Sequence, residues 1–362
     1  MLVTSDSVTA LDRADNLRTW ADEGYRLTWL GSLFVPGYCT GPDSGAAFVN
    51  QVRSNGLRSA IIHTCGQYLA VLDDRHTGTR SVFVDEAAVF NAYVYEGVIA
   101  SSYLTLLSHT GLGRGHLDPD HIAEFLQLGV LFGSHTLTPP VRKLGQGELI
   151  RFTGNSYAVE QMELPDLSDQ DAPRLSLENL FDATAAALRK ENVSVDLTGG
   201  YDSRLIATAL AHRNVSFEAS LESPADRKDA ILGNRVAALL GRSFHLTIPD
   251  PHDLDLSEAY MLADGVEDVL KAHKVARYQQ ARVDRGVTFI LSGVAGELFG
   301  DFFWLQDFPF YRLKKSNISR LYDLRLAPIP LSTRLLTPPL QDALRTLKDR
   351  VVARLDKYVC TI

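Results

Sequence analysis

The feature that most constrains this chain is a short run of glycine, hydroxyl and carboxylate residues between two apolar segments. The run reads LTGGYDSR from Leu197 to Arg204; strand-like residues from Val193 precede it, and an amphipathic stretch to Arg213 follows. Two successive glycines allow backbone N–H groups to approach a ligand closely, and a following helix directs its partially positive N-terminus at the same place. The pattern predicts a turn that binds a phosphate chain and its metal. No G-x-x-x-x-G-K-[ST] motif occurs, so this is not the P-loop arrangement.

Strand-like and helix-like segments alternate from Val193 onward. The predicted strands are Val193–Leu197, Val215–Leu221, Phe244–Ile248 and Val287–Leu291. The predicted helices are Ser203–Arg213, Ala225–Leu240, Leu256–Ala263 and Asp268–Arg285. This alternation predicts an α/β fold, a parallel sheet with helices on both faces. Ligands bind such sheets at the carboxyl ends of the strands, where the first glycine turn and a second one, Ser292 to Gly300, both fall.

The length of 362 residues favours two domains. Residues 1–163 are predicted to form a sheet-rich α+β domain, residues 164–176 a linker, and residues 177–362 the second domain. A helix from Asp120 to Gly129, capped by Asp118, is expected late in the first domain. The strands expected there are Leu27–Val35, Ile61–Leu72, Ser81–Val84, Ala92–Tyr95, Val98–Ser101 and Leu149–Phe152.

Composition excludes several classes of protein. The net charge of −8 argues against nonspecific binding to nucleic acid or to an anionic membrane. The three cysteines, Cys39, Cys65 and Cys360, are far apart and form no C-x-x-C, which argues against a disulfide framework or a zinc site. No apolar run approaches the roughly 18 residues that span a bilayer. The N-terminus shows no signal-peptide pattern, so a cytoplasmic location is expected.

Both glycine turns resemble motifs of one family. Thr198 to Ser203 resembles the SGGxDS pyrophosphate loop of N-type ATP pyrophosphatases, with Thr198 in place of the first serine. Ser292 to Gly300 reads SGVAGELFG and resembles the SGxG[GAS]DELFGG motif of asparagine synthetase-like ligases. Gly66 to Asp73 looks like a segment of the glutaminase-like domain that precedes the synthetase domain there. The layout is similar to that of β-lactam synthetases and lasso-peptide cyclases.

The resemblance implies binding of ATP and Mg²⁺, with Asp202 and Glu297 as metal-binding carboxylates. It assigns ATP binding to Leu197, Thr198, Gly199, Gly200, Tyr201, Asp202, Ser203, Arg204, Leu221, Ser292 and Gly293. Val294 stands where several members carry an acid, so Asp264, Glu267 and Asp268 are candidate acid–base replacements. Lys271, or Lys314 and Lys315, are candidates for the cation that stabilises the transition state.

Two charged residues near the first turn are unusual. Asp196 lies in a strand that is expected to be buried, and it is predicted to pair with Arg204. Arg204 is otherwise predicted to bind a substrate carboxylate or phosphate, or to form a salt bridge at the helix end.

The first domain resembles a glutaminase that has lost its activity. An N-terminal nucleophile requires cysteine directly after Met1, but residue 2 is Leu2, and Cys39 and Cys65 are internal. The resemblance implies AMP-forming amide ligation of a small-molecule or peptide carboxylate, and without glutaminase activity the nitrogen donor is expected to be an amine or ammonia. The alternatives are ammonia-dependent asparagine synthesis, or an inactive nucleotide-binding partner of a biosynthetic enzyme. A homo-oligomer or a biosynthetic partner protein is compatible with either.

Overall fold

The computed structural model describes residues 1–10, 17–35, 42–163, 176–248, 255–294, 317–329 and 331–356. It is a mixed α/β protein with two antiparallel sheets and one parallel sheet flanked by helices, so the predicted α/β class is confirmed. Among the described helices, none is both long and apolar enough to cross a membrane. Residues 164–175 of the predicted linker lie outside the described residues, and the domain boundaries stay predictions.

Both antiparallel sheets are formed by the first 161 residues. Their strands are β1 (Leu2–Val3), β2 (Val8–Thr9), β3 (Leu17–Ala21), β4 (Tyr25–Phe34), β5 (Cys65–Asp74), β6 (Thr79–Val84), β7 (Tyr93–Tyr95), β8 (Val98–Ala100), β9 (Arg142–Lys143), β10 (Glu148–Thr153) and β11 (Ser156–Gln161). The helices are α1 (Pro42–Ile62), α2 (Tyr103–Thr110) and α3 (Pro119–Leu128), with a 3₁₀ turn at Arg114–His116. One sheet has the order β2-β1-β8-β7-β9, and the other β11-β10-β6-β5-β4-β3.

The two antiparallel sheets and α1 form three layers. Along β5, Tyr68 and Ala70 pack in the cluster that includes Phe48 of α1, whereas Leu69 and Val71 pack in the cluster shared with β1 and β8. This alternation is the period-two pattern of a strand that is buried on both faces. β5 is therefore the centre of this part of the molecule.

One predicted strand, Ile61–Leu72, is partly wrong. Ile61 and Ile62 end helix α1, and β5 begins only at Cys65. The sequence does not show a continuous helical pattern over α1, because Gly56 interrupts the helix with φ +83° and ψ 163°. A glycine at positive φ breaks the helical periodicity by which a helix is recognised in a sequence.

The parallel sheet is formed by residues 193–291. The strands are β12 (Val193–Asp196), β13 (Phe217–Glu222), β14 (Phe244–Thr247) and β15 (Phe289–Leu291), and the order is β14-β13-β12-β15. The helices are α4 (Leu177–Leu188), α5 (Tyr201–His212), α6 (Lys228–Leu239), α7 (Leu256–Ala263), α8 (Val269–Val283), α9 (Ile318–Leu321) and α10 (Pro338–Leu355), with a π-helical segment at Tyr322–Leu326. The four strands predicted here are all present.

The two faces of the parallel sheet differ in polarity. One face is apolar: Val193, Val195 and Phe217 pack in a cluster with Ala207 of α5 and Ala237 of α6. The strand register places polar residues on the opposite face, namely Ser194, Asp196, Glu218, Ser220, Glu222, His245 and Thr247. Strands of parallel sheets are usually apolar on both faces, so the polar face is an unusual feature of this chain.

Helix α10 packs against the first part of the chain. Arg350 forms an ion pair with Asp120 at 3.0 Å, and Arg354 forms one with the buried Glu124 at 3.0 Å. Asp120 and Glu124 belong to α3. The C-terminal helix therefore contacts the part of the chain that the sequence assigns to the first domain.

Asp118→Ala is expected to lower the free energy of unfolding by about 1 kcal/mol. The Asp118 carboxylate accepts hydrogen bonds from the backbone N–H groups of Asp120 (2.8 Å) and His121 (3.2 Å), as the predicted helix cap requires. Urea denaturation measures the loss, and Asp118→Asn, which keeps an accepting oxygen, is the matched control. Equal losses in the two variants would contradict the capping role.

Candidate functional site

The first glycine turn lies where the strand order of the parallel sheet reverses. From β12 the chain proceeds outward to β13 and β14, and then returns to place β15 on the other side of β12. Ligands of open α/β sheets bind at this switch point, outside the carboxyl ends of the strands. The turn after β12 and the residues Ser292 and Gly293 after β15 both lie at this edge.

Two hydroxyl groups close the first turn from within. The Ser203 Oγ atom accepts a hydrogen bond from the Thr198 N–H at 3.1 Å and lies 3.0 Å from Thr198 Oγ1. Thr198 Oγ1 in turn accepts from the Gly200 N–H at 3.0 Å. These hydroxyls, which the sequence assigns to ATP, thus hold the turn in shape.

Asp229 of α6 contacts the turn through Gly199. Its Oδ1 atom accepts the Gly199 N–H at 3.0 Å. A Cβ atom at Gly199 would lie 2.9 Å from Leu232 Cδ1 and 3.0 Å from Asp229 Oδ1, so only glycine fits here without a shift. Sequence reasoning missed Asp229, because no local signal distinguishes it from other acids in a first helical turn.

The N-terminus of α5 has the properties of an anion site. Gly200 is the N-cap residue and provides no side-chain cap, and among the described residues no side chain caps the first-turn N–H groups. Asp202 lies in this first turn and is exposed. In the described part of the chain, no hydrogen bond or ion pair involves its carboxylate. Free helix-terminal N–H groups and an available carboxylate are the donor set that suits a phosphate chain with Mg²⁺.

The second glycine turn contacts the first. A Cβ atom at Gly293 would lie 2.8 Å from the Ser203 backbone nitrogen and 3.0 Å from Asp202 Cβ. Ser292 Oγ accepts the Val294 N–H at 3.3 Å. Glu297, the predicted second metal-binding carboxylate, lies outside the described residues, as do Lys314 and Lys315. The pairing of Glu297 with Asp202 at a magnesium ion stays a prediction.

Gly293→Ala is expected to lower any activity that depends on the two turns by about 30-fold, because the methyl group displaces Asp202 and Ser203 and misplacement by about 1 Å can cost 100-fold. The clash is with backbone atoms, which cannot move as a flexible side chain can. The rate of Mg²⁺-dependent ATP–pyrophosphate exchange is the readout. Gly115→Ala is the control, because a Cβ atom there meets nothing within 4 Å and Gly115, like Gly293, is not at positive φ. An equal loss in both variants would contradict the prediction.

An open cavity of about 580 Å³ adjoins α5 at the same turn. Its polar lining comes from Tyr201, Asp202, Arg204 and Thr208, and its apolar lining from Leu205, Val236, Leu239 and Leu240. The volume is within the range of small-molecule sites. Asp202 therefore lies beside space that is large enough for a ligand.

Two apolar residues assigned to ATP lie in the sheet or directly after one of its strands. Leu197 is fully buried in the apolar cluster, and its N–H donates to the Ser220 carbonyl oxygen at 3.0 Å. Leu221 is the residue before the end of β13 and is half-buried.

The predicted ion pair between Asp196 and Arg204 is wrong. Arg204 Nε donates to the Gly200 carbonyl oxygen at 3.1 Å, and its guanidinium lies over the Tyr201 ring at 4.6 Å. Asp196 pairs instead with Arg282 of α8. The reason is the pleat of β12: Asp196 lies on the polar face of the sheet, whereas α5, which carries Arg204, packs on the apolar face.

The three candidate catalytic residues lie at or near the turn between α7 and α8. Asp264 accepts hydrogen bonds from Ser102 Oγ (2.6 Å) and from the N–H groups of Tyr103 (2.6 Å) and Leu104 (3.1 Å). Glu267 and Lys271 are exposed. In the described residues, no hydrogen bond or ion pair joins any of the three to the first glycine turn. Their catalytic roles stay predictions.

The turn between α7 and α8 also contacts β9. Burial lowers the pKa of the Lys143 ammonium, and the neighbouring Glu267 carboxylate opposes this shift. Val266 packs against the cluster that contains Tyr93 and Tyr103. The turn is thus docked on the first part of the chain by charge, hydrogen bonds and apolar contact.

Comparison with protein-family models finds no match for the chain, and comparison with curated proteins finds none either. Among solved structures, glutamine phosphoribosylpyrophosphate amidotransferase from B. subtilis, in complex with ADP and GMP, is similar at 9% identity. The similarity covers 68% of this chain and 74% of that chain, with a TM-score of 0.24. A similarity of this size supports no argument about fold or function.

Proposed function

We propose that this chain is an ATP-dependent, AMP-forming carbon–nitrogen ligase of the asparagine synthetase-like type. One observation carries the proposal: Gly293, from the second turn, lies against Asp202 and Ser203 of the first, at the switch point of the sheet. Two sequence motifs, more than 80 residues apart in the chain, are thereby in contact, which supports their joint use as one site. The turns that follow the adjacent parallel strands β12 and β15 share one edge of the sheet, and both of these turns carry a glycine motif.

The residues present fit MgATP. Bound MgATP would supply an α-phosphoryl group that activates a carboxylate and a pyrophosphate that leaves. The first-turn N–H groups of α5 would hold the departing phosphates, and Asp202, with Glu297, would hold the magnesium ion. Thr198 and Ser203 act indirectly, because their hydroxyls hold the turn in shape. The positive potential of the helix N-terminus and of the magnesium ion would be fixed before the reaction, and such preorganised charge is usually the largest source of rate enhancement.

The substrates proposed are a small-molecule or peptide carboxylate and an amine or ammonia. The first part of the chain would serve as a scaffold for this site. We propose a cytoplasmic location for the protein. It would act alone, as a homo-oligomer or with a biosynthetic partner protein.

One observation favours a second candidate, an inactive nucleotide-binding partner of a biosynthetic enzyme. The Gly199 N–H, which would face a phosphate in an ATP complex, already donates to the Asp229 carboxylate. A carboxylate in this position competes with an anionic ligand. The turn would then bind nucleotide weakly or in another orientation.

The test is ATP–pyrophosphate exchange by the wild-type protein with a panel of carboxylates, with and without Mg²⁺. Exchange that requires both Mg²⁺ and one class of carboxylate supports the ligase. Binding of MgATP by calorimetry without exchange for any acid supports the inactive partner. Absence of MgATP binding would overturn both candidates.

A further inference from the structure

The polar face of the parallel sheet is joined to α8 by ion pairs. Arg282 pairs with Asp196, Arg285 with Glu218 at 2.7 Å, and Lys274 of α8 with Glu222 at 3.5 Å. The acids come from β12 and β13, and the cations from one helix and the residues just after it. Three ion pairs thus join the polar face of the sheet to α8 and the residues just after it.

Arg282 is the most buried member of this contact. It is 0% exposed, and its Nη2 atom donates to Asp196 Oδ1 and, at 2.7 Å, to the Tyr278 hydroxyl. Nη1 donates to Gln279 Oε1 at 3.1 Å. Tyr278 donates its own hydroxyl to Asp196 Oδ1 at 3.2 Å, and its ring lies 4.1 Å from the guanidinium carbon. Burial raises the pKa of Tyr278, so the hydroxyl stays a donor at neutral pH.

Asp196 lies at the point where the chain leaves the sheet and enters the first glycine turn. It is the last residue of β12, and Leu197, which follows, is anchored by its N–H to Ser220 and by burial of its side chain. Thr198 comes next and closes the turn with Ser203. Holding Asp196 on one face and Leu197 on the other sets the direction in which the chain leaves the sheet.

Charge gives Arg282 a second effect at this position. A buried ion pair adds little net stability compared with apolar packing, but removal of one partner leaves an uncompensated charge. Without Arg282, the Asp196 carboxylate would direct an unbalanced negative charge at the base of a site built for an anion. The pair therefore affects both the geometry and the potential of the turn.

We propose that Arg282, together with Tyr278, is a positioning residue that acts through Asp196 to hold the first glycine turn in its anion-binding form. The expected effect on MgATP affinity rests on the proposed function, since it concerns the same site. The expected effect on the conformation of the turn is independent of the proposed function.

The test compares Arg282→Met with Arg285→Met. Both variants remove a cation that pairs with the same sheet face. Among the described residues, Arg285 contacts the side chains of Glu218 and Ser220 and forms no hydrogen bond or ion pair with Asp196 or with the first glycine turn. Amide hydrogen exchange of the peptide 196–204, followed by mass spectrometry, reports on the turn without ligand. Calorimetry with MgATP reports on binding.

Arg282→Met is expected to speed exchange of this peptide at least tenfold and to raise the Kd for MgATP about tenfold, whereas Arg285→Met changes each less than twofold. Arg282→Lys, which keeps the charge, should recover most of the affinity. If Arg282→Met fails to fold, Asp196→Asn with Arg282→Met removes both charges, and fast exchange of the turn is still expected.

Equal exchange rates in the Arg282 and Arg285 variants would overturn the positioning role. If the wild-type protein binds no MgATP, the proposed function fails, while slow exchange in wild type and fast exchange in Arg282→Met still support the structural part. If it binds MgATP and Arg282→Met binds equally well, the proposed function stands and the effect on ligand is refuted.

Discussion

Asp202→Asn is expected to lower Mg²⁺-dependent pyrophosphate exchange by about 1,000-fold, equivalent to about 4 kcal/mol of transition-state stabilisation. Asparagine has nearly the same shape, but its neutral amide is a poor replacement for a carboxylate as a magnesium ligand. The side chain is exposed in the first turn of α5 and has no hydrogen-bonding partner among the described residues. The loss should therefore appear in exchange and in MgATP affinity, and not in folding.

The melting temperature distinguishes a loss of magnesium binding from a loss of folding stability. Surface substitutions away from special features change stability by about 0.5 kcal/mol or less, so the melting temperature of Asp202→Asn should stay close to that of wild type. Asp226→Asn is the matched control, since Asp226 is an exposed aspartate in the loop after β13, at the same edge of the sheet. Exchange should survive in this control. If Asp202→Asn retains full exchange, Asp202 is not the magnesium ligand.

The parallel sheet could be predicted from the sequence because each of its elements carries a local signal. Short apolar strands alternate with amphipathic helices, and glycines mark the turns. Helix α1 carries no such signal, since Gly56 divides it. The strand order, and with it the meeting of the two glycine turns, followed only from the structure.

The contacts around the first turn could not be predicted, because they join distant parts of the chain. Arg282 and Asp196 are 86 residues apart, and Gly199 and Asp229 are 30 apart. Arg204 was the natural partner for Asp196 by sequence distance, but the pleat of the strand decides which helix each side chain faces. Gly293 lies against Asp202, whereas the use of the two turns as one ATP site stays a prediction.

Asp264 is the candidate catalytic residue whose surroundings argue most for a different role. It ends α7 with a left-handed backbone, φ +52°, and its carboxylate accepts two backbone N–H groups and one hydroxyl at the start of α2. A carboxylate at a helix N-terminus is also favoured by the helix dipole. Three such hydrogen bonds leave little freedom for proton transfer at a distant site.

Asp264→Ala is accordingly expected to lower the free energy of unfolding by about 3 kcal/mol, from lost hydrogen bonds to a charged acceptor and from alanine strained at positive φ. Asp264→Gly separates the two causes, because glycine accepts this backbone conformation and loses only the carboxylate; its loss should be smaller by about 1 kcal/mol. Glu258→Ala, at an exposed position of α7, is the control and should change stability by about 0.5 kcal/mol or less. Urea denaturation measures all three. If Asp264→Ala has the stability of the wild type but loses ATP–pyrophosphate exchange, the result would support a catalytic role for Asp264 and contradict the structural one.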